Sequence, residues 1–76
     1  MTIETYYHAG VDVDGQITWA HSSHTSREAA ENQARAMACA IGPLRSQPVV
    51  EWWAGEHGPF PGDGDVVEGV EQLEWL

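Results

Sequence analysis

Apolar positions alternate at the start of the chain, take helical spacing in the middle and alternate again toward the end. Ile3 to Val13 carries Tyr6, Tyr7, Val11 and Val13, side chains that suit a pleated strand. Asp14-Gly15 is a turn dipeptide, and Gln16 to His21 reads as the returning strand. Two registers compete. A two-residue turn pairs His8 with His21 and sets Val11 opposite Thr18, dividing the apolar set between two faces. A three-residue loop, Val13-Asp14-Gly15, pairs Val11 with Ile17 and Ala9 with Trp19, and gathers Tyr7, Val11, Ile17 and Trp19 on one face. Burial of one face enforces register, so the three-residue loop is the expectation.

Thr25-Ser26-Arg27-Glu28 fits a capping box, with Thr25 as N-cap and Glu28 reaching back. Nothing breaks a helix from Ser26 to about Ile41; Gly42 suits the residue after the last turn, and Pro43 prevents continuation. Ala30, Ala34, Met37 and Ile41 share one stripe, small enough for the helix to lie close to a sheet. Glu28, Asn32, Arg35 and Cys39 fall on the opposite, exposed side, and Glu31 with Arg35 is an i,i+4 pair.

Gly42 to Pro48 is a connector. Val49 to Ala54 follows as a strand, with Val50, Trp52 and Ala54 on one face and Val49, Glu51 and Trp53 on the other. Glu51 marks its face as the wetter one, so Trp19 and Trp52 are expected in the core and Trp53 at the surface. Gly55 to Asp65, with four Gly and two Pro, reads as a loop. Val66 to Leu76 admits helical spacing (Val66, Val70, Leu73) or strand alternation (Val67, Leu73, Trp75). Strand is favoured, because Gly69 costs an isolated helix about 1 kcal/mol and sheet edges need cover. The expected fold is α+β, ββαββ in one domain spanning residues 1–76: a small antiparallel sheet with one helix packed on one face. One helix cannot cover such a sheet on both sides, so the far face is solvated, meets a partner or pairs with a second copy as a homodimer.

Composition narrows the functional classes. The chain has 76 residues, 12 Asp+Glu, 3 Arg and no Lys, for a formal net charge of -9. Direct nucleic-acid binding needs clustered positive charge and is not expected. The same charge opposes adsorption to anionic lipid, and no run approaches the roughly 18 apolar residues of a membrane span. With no signal-peptide pattern and a single Cys, Cys39, the expected compartment is a cytoplasm.

Chemistry finds little purchase. Four His (His8, His21, His24, His57) raise the question of a metal, but in the expected register His8 and His21 lie on opposite faces of the hairpin. Asp12-Val13-Asp14-Gly15 lacks the closing Glu of a calcium loop. Ser22, Ser23 and His24 adjoin without an orienting acid, and a core this thin promises no cavity of catalytic size. Cys39 has no neighbour in sequence that would lower its pKa. The Gly-rich Gly55 to Gly64 stretch lacks the Lys and following helix of a phosphate cradle. The reading is a non-enzymatic protein without metal or cofactor.

Charge is what remains. No Lys or Arg follows Arg45, whereas Glu51, Glu56, Asp63, Asp65, Glu68, Glu71 and Glu74 all do. Trp53, Phe60 and Trp75 are interleaved with them, and aromatics within a charged rim are the composition of a protein-binding surface. The expected partner-binding residues are Glu51, Trp53, Glu68, Glu71 and Glu74, and the expected partner is a basic nucleic-acid-binding protein or complex.

Two resemblances bear on this. A hairpin followed by Thr25-Ser26-Arg27-Glu28-Ala29-Ala30-Glu31-Asn32 resembles the strand-to-helix junction of HicB-type antitoxins, over less than half the chain; it implies an acidic domain that neutralises a small basic toxin. In size, charge and layout the whole chain is similar to phage-encoded anti-CRISPR proteins. That implies an inhibitor in the host cytoplasm, with carboxylates standing where phosphates would sit.

Overall fold

The structure is a computed structural model and describes residues 4–55 and 67–75. Its elements are β1 (Glu4–Val13), β2 (Gln16–His24), α1 (Arg27–Ile41), β3 (Ser46–Gly55) and β4 (Val67–Gln72). The four strands form one antiparallel sheet in the order β2-β1-β3-β4, and α1 packs over β1 and β3 on one face. The α+β layout and the strand character of β4 match the sequence reading.

The register of the hairpin does not. Val13 pairs with Gln16 and Val11 with Thr18, so the turn is the two-residue Asp14-Gly15, with φ of 54° and 89°. Both central residues at positive φ match the strand twist, and the Asp12 carboxylate accepts the Gly15 N–H at 3.0 Å. The argument for a three-residue loop assumed that only one face of the sheet is buried. Here β1 and β3 bury residues on both faces, so the apolar residues need not gather on one, and the division leaves Ile17 of β2 exposed. An irregularity between His8 and Gly10 then resets the pairing to His8 with Ser23 and Tyr7 with His24.

On the helix face, Ala9, Ala30, Ala34, Val50 and Leu73 form the buried cluster, joined by Tyr7, Ala20, Met37 and Trp52. The helix buries Ala30, Ala34 and Ala38, one turn apart and without bulk, and this brings its backbone near the sheet. Met37 is half-buried and Ile41 is exposed, so the buried stripe is rotated slightly from the expected one. Ser26, not Thr25, is the N-cap and accepts from the Ala29 N–H at 3.4 Å. Gly42, at φ 123°, closes the other end by donating to the Ala38 carbonyl at 2.9 Å. The buried Ser46 hydroxyl lies 2.8 Å from the Ala38 carbonyl and 2.7 Å from that of Gly42, and donates to one at a time.

Strand β3 lies between two neighbours yet contains Pro48, which has no N–H to give. Leu73 donates to the Pro48 carbonyl at 2.8 Å, and the Gln47 side-chain amide donates to the Leu73 carbonyl at 2.5 Å. The side chain thus supplies the donor that the proline lacks.

Two glycines let tryptophan rings lie flat on the sheet. A Cβ at Gly10 would overlap the Trp19 ring, and one at Gly69 would overlap that of Trp52. Trp19 covers β1 on the face away from the helix, and Trp52 covers β4 on the helix face. Aromatic cover over a strand glycine restores packing that the missing side chain forfeits.

Candidate functional site

The face of the sheet opposite α1 is built from Tyr6 and His8 on β1, Trp19 on β2, and Val49, Glu51 and Trp53 on β3. Their positions follow from strand alternation, since Ala9, Val50 and Trp52 point at the helix. Tyr6 stacks on Trp53 with centroids 6.1 Å apart, His8 stacks on Trp19 at 5.4 Å, and Trp53 meets His8 edge-on at 6.0 Å. Partial burial, followed by the hydrogen bond and charge of Glu4, pushes the Tyr6 phenol above its ordinary value of 10.0.

Two of the five expected partner-binding residues belong to this interior. Trp53 is 0 % exposed and Glu51 8 %, so the expectation that Trp53 and Glu51 lie at the surface is corrected. The assignment took Glu51 as a sign of solvent, but Glu51 is held by His8: Nδ1 lies 3.0 Å from Oε1, and His8 is itself only 7 % exposed. A buried carboxylate with a hydrogen-bonded partner is compatible with a packed face. The other ring nitrogen of His8 meets the Ala20 carbonyl, so both nitrogens are engaged within the fold.

The remaining three, Glu68, Glu71 and Glu74, are exposed on β4 and just beyond it. They are not equivalent. Glu71 forms an ion pair with Arg27, which also donates to Glu31 at 2.7 Å and stacks its guanidinium 5.1 Å from the Trp52 ring centroid. Glu71 is therefore charge-compensated from α1, contrary to the reading of this segment as uncompensated. Among the described residues Glu68 and Glu74 have no ion-pair partner, and Val70, between them, is 53 % exposed. The other expected contributors Glu56, Phe60, Asp63 and Asp65, and the histidine His57, lie outside the described residues. Trp75 is half-buried.

A cleft of about 360 Å³ opens at the end of the sheet, where a core this thin promised none; it lies on the surface, among Asp12, Asp14, Leu44, Arg45, Ser46 and Gln72. Its polar groups are engaged with one another: Arg45 with Asp14 at 3.3 Å, and the Gln72 amide with Asp12 at 3.0 Å. His24 bonds Gln33 of α1 at 2.5 Å and, paired with Tyr7, lies on the other face of the sheet from His8. Among the described residues, no three or more His, Cys, Asp or Glu converge as a metal ion would require, and no helix is long and apolar enough to cross a membrane. Cys39 is a free, exposed thiol on α1.

The chain matches no protein-family model, no curated protein and no solved structure.

Proposed function

We propose that this is a non-enzymatic acidic binding protein that inhibits a basic nucleic-acid-binding protein or complex by occupying its phosphate-binding surface. The observation that carries this reading is the β4 edge: Glu68 and Glu74, both exposed and with no ion-pair partner for their carboxylates among the described residues, flank the half-exposed Val70, and of Glu74 Arg35 bonds only the backbone carbonyl, at 3.3 Å. Carboxylates on and just beyond a strand, around one apolar contact, suit a surface lined with Arg and Lys, and the chain's net charge of -9 steers such a partner toward it. The interface centres on Glu68, Val70 and Glu74, with Glu71 available once Arg27 lets it go; Glu51 and Trp53 support it from inside. The same reading agrees with the size and charge shared with anti-CRISPR-type inhibitors.

The test is affinity capture from cell lysate with the parent chain and with Glu68→Lys/Glu74→Lys. Proteins retained by the parent alone are then assayed for nucleic-acid binding by mobility shift. Enrichment of basic nucleic-acid-binding proteins that lose their nucleic acid when the parent is added supports the proposal. Identical capture by both chains, or capture without loss of nucleic acid, refutes it.

A further inference from the structure

The sheet ends on one side in β4, which carries Glu68 and Glu71, and on the other in β2, whose sequence Gln16–His24 holds no Asp, Glu, Lys or Arg. Edge strands are ordinarily protected by charge, and this one has none over nine residues. Among the described residues, no strand pairs with its outer side.

The turn sets which backbone groups face outward. A two-residue hairpin closes on a mutually hydrogen-bonded pair, here Val13 and Gln16, and the ladder then alternates. Gln16 and Thr18 therefore turn N–H and C=O toward β1, whereas Ile17 and Trp19 turn theirs away. The Ile17 and Trp19 side chains share the face opposite the helix, and Ile17 is 41 % exposed.

We propose that β2 pairs with β2 of a second copy, antiparallel about a two-fold axis at Thr18. This register sets Ile17 of each copy opposite Trp19 of the other, so the outward backbone groups of both residues are satisfied reciprocally. It also lays the exposed Ile17 side chain beside an aromatic ring, a favoured cross-strand pair. Thr18 meets its own copy as the non-hydrogen-bonded pair. Charge selects this edge over the other: two chains of formal charge -9 repel wherever carboxylates face each other, and β4 pairing with itself would do that. Toward the ends, the acidic Asp14 turn of one copy approaches His21 and Ser22 of the other, acceptor against donors. The result is an eight-stranded sheet with an acidic β4 edge at each end.

A cross-link reads this register directly. Facing residues of a non-hydrogen-bonded antiparallel pair lie about 4.5 Å apart at Cα, within disulfide range. Thr18→Cys is made in a Cys39→Ser background and exposed to diamide, with Glu68→Cys in the same background as control. The expected result is rapid conversion of the Thr18→Cys chain to a covalent dimer, with the control at least tenfold slower. Sedimentation equilibrium of the parent should give twice the monomer mass of 8.3 kDa, and Ile17→Lys should raise the dissociation constant at least tenfold while leaving the circular dichroism spectrum unchanged. A parent that stays monomeric up to 1 mM, or a Glu68→Cys chain that cross-links as fast as Thr18→Cys, overturns the proposal.

Discussion

His8 Nδ1 lies 3.0 Å from Glu51 Oε1, while His8 Nε2 meets the carbonyl of Ala20, so one imidazole ties β1 to both of its neighbours. A carbonyl oxygen only accepts, which places a hydrogen on Nε2. Nδ1 and the Glu51 carboxylate are then each other's buried partners. Removing one partner leaves the other buried and alone. His8→Ala should therefore destabilise the fold by about 3–5 kcal/mol in urea titration, whereas Glu51→Gln, which keeps a hydrogen-bonding group there, should cost much less. A double-mutant cycle between the two positions should give a coupling of at least about 0.5 kcal/mol; additive losses would show that the contact carries no energy of its own.

The adjacent tryptophans should respond differently. Trp53 is fully buried, so Trp53→Ala should cost about 3–5 kcal/mol. Its indole Nε1 is buried without an acceptor among the described residues, so Trp53→Phe gives up no hydrogen bond to them, keeps most of the aromatic volume and should cost less than Trp53→Ala. Trp52 is half-buried, and its change to Ala should be the milder of the two alanine variants. The reverse order in thermal melts would contradict the face assignment.

Glycine and tryptophan should also couple across strands. Gly10→Ala and Gly69→Ala each force a Cβ into an indole ring, and overpacking of that kind costs about 1–3 kcal/mol. Trp52→Leu should rescue Gly69→Ala in part and leave Gly10→Ala unrelieved. Equal effects on both glycine variants would mean that backbone conformation, and not the ring, sets the requirement.

Tyr6 gives a pH signature. Its phenol ionises above the ordinary 10.0 in the folded state, so the folded chain holds that proton more tightly than the unfolded one. The contribution is fully present below pH 10 and is lost as pH rises through the folded value. Phenolate absorbance should show one tyrosine titrating late, and Tyr6→Phe should remove both that step and its share of the alkaline loss of stability. An unchanged titration in Tyr6→Phe would assign the late step elsewhere.

Charge at the β4 edge should act through association rate. Between about 50 and 500 mM salt, binding to a basic partner should slow steeply, since the screening length falls well below the span of the surface. Glu68→Lys should slow association much more than Glu28→Lys on α1, although both alter net charge equally. Equal slowing would make the overall field responsible and release the β4 edge from its role.

Local signals in the sequence were sufficient for the elements. Asp14-Gly15 marked the hairpin, Thr25 and Gly42 bounded the helix within a residue, and Gly69 argued for strand at the end of the chain, because turn geometry, capping and helix propensity act over a few neighbouring residues. The acidity of the β4 segment was equally plain. Which face each strand buries was decided only in three dimensions. Glu51 read as a mark of solvent until His8, 43 residues away, proved to be its partner, and Trp53 moved inward with it. Arg27 neutralises Glu71 across 44 residues of chain, a pairing with no local trace. The hairpin register failed for the same reason: alternation shows that two faces differ, but a strand buried on both sides gives up that difference, and only the packed sheet says which residues meet.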